Sequence, residues 1–96
     1  MSELNESFLE NLKKQKIILF GAASRGKRVL NNLAVKGFKK ENIVFCDNDP
    51  KKYGKIINGV KTINTHDLEN FPKNIPIIIS SSIFYEIKQQ LENLGF

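Results

Sequence analysis

Hydrophobic positions along the chain form short continuous runs that alternate with helical stripes. Apolar residues over 3–14 recur at helical spacing, which predicts an amphipathic helix in the N-terminal segment 1–15. Continuous runs at 16–20, 43–46 and 76–79 lack the alternation of a half-exposed strand, so each predicts a strand buried on both faces.

The segments between these runs supply the other elements. The Asn58-Gly59 pair is a tight-turn signal, and the residues after it predict a further strand over 60–63. Three more helices are predicted, around the stripe 29–34, over 67–69 behind a Thr65 cap, and over 83–94 behind a cap from serines 80–82. Alternating strands and helices imply parallel pairing with right-handed crossovers. We therefore predict an α/β domain over 16–96, a three-layer Rossmann-like open parallel sheet of about four strands with helices on both faces.

The chain length limits what this fold can be. Ninety-six residues bury one core but not two, whereas a complete nicotinamide-binding domain uses two βαβαβ halves. A stand-alone dehydrogenase is therefore not expected, and the chain fits a domain of a longer protein at least as well as a complete one. No apolar run approaches a membrane span, and the N-terminal residues lack the pattern of a signal peptide. A cytoplasmic location without a membrane span is the expectation.

The formal charge of +5 does not predict a nucleic-acid partner. The lysines are spread along the chain, and only Arg25 and Arg28 offer the guanidinium groups that groove recognition favours. The aromatic residues lie mostly in apolar runs instead of alternating with cations as on a base-stacking surface. Sequence-specific nucleic-acid binding is therefore not expected.

The strongest candidate for a binding loop is Gly21-Ala22-Ala23-Ser24-Arg25-Gly26, between a predicted strand and a predicted helix. Set against the dinucleotide pattern G-x-G-x-x-G, the loop keeps Gly21 for the sharp turn and Gly26 for close packing of the helix. Ala23 replaces the glycine that lets the backbone approach a pyrophosphate. A P-loop is excluded because Arg28 stands where Ser or Thr would hold Mg²⁺.

Three cations follow the start of this loop, namely Arg25, Lys27 and Arg28. They oppose the macrodipole of the predicted helix unless an anion lies at its N-terminus. This arrangement predicts phosphate or nucleotide binding, and the alternative is a structural glycine turn with solvated charges.

Polar residues at two other strand ends complete the candidate site. Asp47 follows the second strand, where a carboxylate reads the ribose hydroxyls in nucleotide-binding versions of this fold. Its alternative role is turn formation in Asp-Asn-Asp-Pro, in which Asp49 is assigned to capping. The complete set of predicted ligand-binding residues is Gly21, Ala22, Ala23, Ser24, Arg25, Gly26, Lys27, Asp47, Asn48, Ser80 and Ser81.

No catalytic or metal-binding constellation accompanies this set. Cys46 lies in an apolar run and is expected to be a small buried hydrophobe, while nothing in the sequence pairs with His66. One cysteine and one histidine exclude an internal disulfide and a Cys-cluster or multi-His metal site. We therefore predict no metal and no catalytic residue in this domain.

Four motifs together carry a family resemblance: Gly21-x₄-Gly26 after a buried strand, Phe45-x-Asp-Asn-Asp-Pro-Lys-Lys-Tyr-Gly-Lys55, the Asn58-Gly59-Val60 turn, and Ile77-Ile-Ile-Ser-Ser81. With them the chain resembles, over roughly residues 15–96, a small Rossmann-like domain of bacterial glycan-assembly and sugar-modifying enzymes. These include sugar acetyltransferases, sugar or S-adenosylmethionine-dependent methyltransferases, and capsule or lipooligosaccharide sugar transferases. In them the domain lies at the N-terminus or between other domains.

The resemblance implies a phosphorylated small-molecule ligand. The nucleotide part of a sugar nucleotide, or an NAD-like nucleotide, would lie over the Gly21–Gly26 loop with Asp47 at its ribose. The resemblance also implies a downstream catalytic domain in a surface-polysaccharide transferase or sugar-modifying enzyme. The alternative is a non-catalytic interaction or scaffold module that keeps the fold without binding a nucleotide.

Overall fold

The structure is a computed structural model that describes residues 2–96, with side chains from residue 8 onward. It contains helices α1 (Ser2–Lys13), α2 (Ser24–Val35) and α3 (Phe84–Asn93), and strands β1 (Ile17–Phe20), β2 (Ile43–Cys46), β3 (Ile56–Ile57), β4 (Val60–Ile63) and β5 (Ile77–Ile79). Short 3₁₀ helices span Lys40–Asn42, Pro50–Lys52 and Thr65–Asn70. No helix in this described part of the chain is both long and apolar enough to cross a membrane.

The strands form one mostly parallel sheet in the order β3-β4-β2-β1-β5. The predicted parallel strands are present, but the predicted number of four was wrong because β3 adds a fifth, antiparallel strand. Asn58 and Gly59 both have positive φ, at 52° and 84°, as a two-residue hairpin turn requires. The turn folds Ile56–Ile57 back against Val60 and Lys61.

Side chains of β1 enter two separate hydrophobic clusters, one on each face of the sheet. Ile17 and Leu19 pack in the cluster that contains Leu30 of α2. Ile18 and Phe20 pack in the cluster that contains Ile87 of α3. All four β1 residues are buried, which confirms the predicted strand buried on both faces.

Two predicted helices have different starts in the structure. The short helix is a six-residue 3₁₀ helix whose cap is Asn64, not Thr65, because the Asn64 side chain accepts from the Asp67 N–H at 3.0 Å. Ile87 and Leu91 of α3 are buried. Ile83 and Leu94, the two ends of the predicted range 83–94, flank α3 and are exposed. No serine side chain caps α3, because the Ser81 Oγ accepts from the N–H of Ile83 before the helix begins.

Candidate functional site

The carboxyl ends of β1, β2 and β5 border one open cleft. β1 lies between β2 and β5, so the chain crosses over in opposite directions on the two sides of β1. Open α/β sheets bind ligands at such a topological switch point. The cleft has a volume of about 410 Å³. Its lining residues are Gly21, Ala23, Ser24, Arg25, Asp47, Lys52, Ser80, Ser81 and Ser82.

The two loop glycines have the roles that the sequence predicted. Gly21 has a φ of +113° at the turn out of β1, and its N–H donates to the Cys46 carbonyl at 2.8 Å. A Cβ atom on Gly26 would lie 1.9 Å from the Gly21 carbonyl oxygen. The helix therefore approaches the strand end more closely than any side chain would allow.

Ser80, on the opposite wall of the cleft, forms hydrogen bonds with this loop. Its side chain is buried, and its hydroxyl lies 3.1 Å from the Phe20 carbonyl oxygen and 3.2 Å from that of Gly21. The single hydroxyl proton is shared between these two carbonyls, so it is not available to a ligand. Ser80 thus lies in the predicted site but holds the loop in place.

Asp47 connects the end of β2 to the same loop. One carboxylate oxygen accepts from the Ala22 N–H at 2.8 Å, and the other accepts from the Asp49 N–H at 2.9 Å. The Lys52 ammonium lies 3.7 Å from the first oxygen. A carboxylate offers about four acceptor positions, so Asp47 keeps capacity for hydroxyl donors in the cleft.

The N-terminus of α2 faces the cleft without a side-chain cap. Ala23 is the N-cap residue, and it makes no side-chain cap hydrogen bond. The Lys27 N–H donates to the Ala23 carbonyl at 3.0 Å, whereas the N–H groups of residues 24–26 precede the first helical hydrogen bond. These donors and the positive end of the helix dipole favour an anion at this position.

The cations that line the cleft differ from those that the sequence indicated. Arg25 lines the cleft as predicted. Lys27 and Arg28 are not among the lining residues, whereas Lys52 is. Asp49 caps a turn of 3₁₀ helix over 50–52 by accepting from the Lys51 N–H. The Asp-Pro pair signals this turn, but only the fold shows that it carries Lys52 to the cleft.

Asn48 takes part in a different contact. The side-chain amides of Asn48 and of Gln90 in α3 form two reciprocal hydrogen bonds, each of 3.1 Å. The backbone carbonyl of Asn48 accepts a hydrogen bond from the Tyr53 hydroxyl. It therefore joins the loop after β2 to α3 instead of lining the cleft. Of the predicted set, the structure brings seven residues to the cleft lining, Gly21, Ala23, Ser24, Arg25, Asp47, Ser80 and Ser81, and leaves out Ala22, Gly26, Lys27 and Asn48.

Cys46 is buried at the end of β2, which confirms its prediction as a hydrophobic core residue. Burial, together with the negative charges of Asp47 and Asp67, raises the pKa of the thiol from 9.0 to about 12. Only the thiolate is nucleophilic. The geometry therefore gives this thiol a packing role.

We expect Cys46 in the folded protein to react with a thiol reagent at pH 8 at least about a thousandfold more slowly than in denaturant, given its raised pKa. With a thiol reagent that releases a chromophore when it reacts, absorbance measures the reaction rate in the folded protein and in denaturant. The raised pKa also means that the unfolded thiol loses its proton first, so stability should fall as the pH rises from 9 toward 12. Equal labelling rates in the two states would contradict the burial of this side chain.

Comparison with known proteins identifies the family of this chain. The model of the C2185-like N-terminal domain matches residues 13–96. The chain belongs to the C2185-like N-terminal domain family. The match contains the whole sheet, α2, α3 and every residue of the cleft, and it begins at the last residue of α1. The family name places the domain at the N-terminal side of further sequence in its members. No curated protein matches the chain.

Proposed function

We propose that this domain is a Rossmann-like unit that binds the phosphate-bearing part of a nucleotide or nucleotide sugar. One observation carries the proposal: the uncapped N-terminus of α2 opens into a cleft that also holds Arg25. The order β4-β2-β1-β5 corresponds to one half of a doubly wound sheet, and the cleft lies at its switch point.

The phosphate group lies at the start of α2 in this proposal. Its oxygens accept from the backbone N–H groups of residues 24–26, and the Ser24 hydroxyl and Arg25 complete the contact. An arginine forms two parallel hydrogen bonds with a phosphate, and this adds both energy and orientation. The methyl group of Ala23 lies where dinucleotide-binding loops have glycine, so a compact phosphate fits better than a buried pyrophosphate.

Asp47 supplies the second part of the ligand contact. Its remaining acceptor capacity faces the cleft beside Lys52, at the position where ribose hydroxyls are read in this fold type. The charges of Asp47 and Lys52 offset each other locally, which leaves Arg25 and the helix terminus as the net anion attraction.

We base the proposed activity of the parent protein on the resemblance in sequence. The glycine loop, the Asp-Asn-Asp-Pro segment and the Asn-Gly turn are similar to those of small domains in bacterial glycan-assembly enzymes. We place this domain in a cytoplasmic transferase or sugar-modifying enzyme of surface-polysaccharide biosynthesis, next to a separate catalytic domain. The domain then docks the substrate, and the chemistry takes place elsewhere.

An NMR titration of the ¹⁵N-labelled chain with UDP-, GDP- and CDP-sugars and NAD tests the proposal. We expect shifts of the amides of residues 21–26 and 47 with at least one of these ligands. Arg25→Ala should weaken that binding about tenfold or more, since a charge-assisted hydrogen bond contributes about 1.5–3 kcal/mol. Lys27→Ala is the matched control, because Lys27 is an exposed cation two residues away that does not line the cleft. Absence of shifts with every ligand, or equal losses in the two variants, would refute nucleotide binding here.

A scaffold module that binds no nucleotide is the second candidate. The observation that favours it is the engagement of the Asp47 carboxylate and the Ser80 hydroxyl in contacts within the fold. In that case the titration shows no shifts, while the domain retains its fold and captures its own catalytic domain when both are co-expressed. Nucleotide affinity in the millimolar range or better would exclude this candidate.

A further inference from the structure

The apolar stripe of α1 is only partly covered by the rest of the chain. Leu12 is half-buried against the cluster on the α2 side of the sheet. One turn earlier, Phe8 is 61% and Leu9 is 40% exposed. The family match begins at residue 13, so this helix precedes the part of the chain that defines the family domain. Phe8 and Leu9 are therefore exposed apolar residues on a segment that precedes the family match.

A groove lined by apolar side chains lies beside β5, on the edge of the sheet. It consists of two clefts of about 390 and 270 Å³ that share Asn74 and Ile75. Among the residues with described placement, β5 pairs only with β1, so the other side of this strand is open. The apolar members of the lining are Phe71, Pro72, Ile75, Pro76, Ile77, Leu91 and Phe96.

The rim of this groove is basic. Lys16, Lys73 and Lys88 line it, against a single acidic residue, Glu92. The Lys73 ammonium lies 4.4 Å from the centre of the Phe96 ring and donates to the Leu94 carbonyl at 2.9 Å. These contacts hold the end of the chain against the groove and keep one cation at its border.

The segment that contains α1 has the opposite charge. Residues 1–13 include Glu3, Glu6 and Glu10 against one cation, Lys13. The remainder of the chain is correspondingly more basic than the overall +5. An acidic helix with exposed apolar side chains complements an apolar groove with a lysine rim. The same acidity disfavours an anionic membrane surface, which attracts basic amphipathic helices.

We propose that this chain forms a two-fold dimer in which α1 of each copy lies in the groove of the other. The position of the groove supports this exchange. Gln15 and Lys16, which follow α1 in the sequence, line one end of the groove. A two-fold axis near these residues therefore places α1 of each copy over the groove of its partner. The helix does not reach its own groove, because Leu12 is packed against the α2 side of the sheet. Phe8 and Leu9 then pack against the apolar floor of the partner's groove, whereas Glu10 stays paired with Lys13 of its own helix at 3.1 Å.

Light scattering coupled to size-exclusion chromatography tests the stoichiometry. We expect a dimer for the unaltered chain and at least a tenfold weaker association for the double variant Phe8→Ser/Leu9→Ser. Val35→Ser is the matched control, because Val35 is a more exposed apolar helical residue outside both surfaces and its replacement should leave the dimer unchanged. Circular dichroism checks that each variant keeps its fold. A monomer at every soluble concentration, or a dimer that the double variant leaves intact, would overturn the proposal.

A disulfide cross-link tests the exchange itself and does not depend on the double variant. Leu9→Cys and Lys88→Cys are prepared as separate proteins, mixed, and oxidised mildly, while the buried Cys46 stays unreactive. The proposal predicts a cross-linked heterodimer in the mixture, well above the homodimers that each protein forms alone. The pair Leu9→Cys and Val35→Cys should give only background cross-linking. Equal yields in the two mixtures would show that α1 pairs elsewhere, for instance with another α1 or along β5, and would refute this occupant of the groove.

Discussion

Gly26→Ala should destabilise the domain by about 3 kcal/mol or more, because overpacking against fixed backbone is costly. The new methyl group would lie 1.9 Å from the Gly21 carbonyl oxygen, so either the loop or the helix must move. Helix propensity alone predicts the opposite sign, since alanine in a helix is favoured over glycine by about 1 kcal/mol. Urea denaturation followed by circular dichroism measures the change in the free energy of unfolding.

Gly54→Ala is the matched control for this substitution. Gly54 has a φ of +76°, and nothing lies within 4 Å of the added Cβ, so only the backbone conformation opposes the change. We expect a loss of about 1–2 kcal/mol there. The amide resonances of the cleft should shift in the Gly26 variant and remain in place in the Gly54 variant. A stabilised Gly26 variant would show that α2 does not approach the strand end as closely as described.

Asp47→Ala should cost about 2–3 kcal/mol of folding free energy, which is typical of hydrogen bonds to a charged group. The substitution removes the acceptor of the Ala22 and Asp49 N–H groups, and Ala22 is buried. Asp49→Ala is the comparison, because it removes only a helix cap and should cost about 1 kcal/mol. Losses of the same size in both variants would mean that Asp47 does not hold the glycine loop.

The result with Asp47 also determines how a binding experiment is interpreted. If Asp47→Ala displaces the loop, it weakens ligand binding even when the carboxylate never touches a ribose. Arg25 is therefore the better residue for testing the ligand contact, since its side chain is exposed and lines the cleft. Stability measured alongside affinity separates the two effects.

Local patterns were enough to predict the strands of the parallel sheet. β2 begins and ends where its hydrophobic run does, because a strand buried on both faces requires apolar residues without interruption. β4 spans the range that was predicted after the Asn58-Gly59 turn, although the exposed Lys61 interrupts its apolar residues. β3 was missed because two residues are too short to show a period, and only the Asn58-Gly59 turn brings them to β4. The length of an element thus decides whether its pattern is visible.

Contacts between distant parts of the chain account for what the sequence did not show. Asn48 follows Asp47 directly and was predicted at the site, but its partner Gln90 comes 42 residues later. Lys52 is the last residue of the 3₁₀ turn that Asp49 caps, and only the fold shows that this turn places it at the cleft. Ser80 was predicted at the correct strand end, while its buried hydroxyl contacts depend on the neighbouring strand.

The contacts that hold the glycine loop have a consequence for the rate of the nucleotide binding that we propose. The Gly21 N–H to Cys46, the Asp47 carboxylate to Ala22 and the Ser80 hydroxyl to Phe20 fix three walls of the cleft to one another. A ligand then meets walls that are already in place, so the entropy lost on binding comes mainly from the ligand and from long side chains such as Arg25. Association without a closing step is limited by encounter, and for an anion approaching Arg25 and the α2 terminus, encounter slows as salt is added. Because these hydrogen bonds fix the cleft before a ligand arrives, we expect a fast association rate that falls as salt is added.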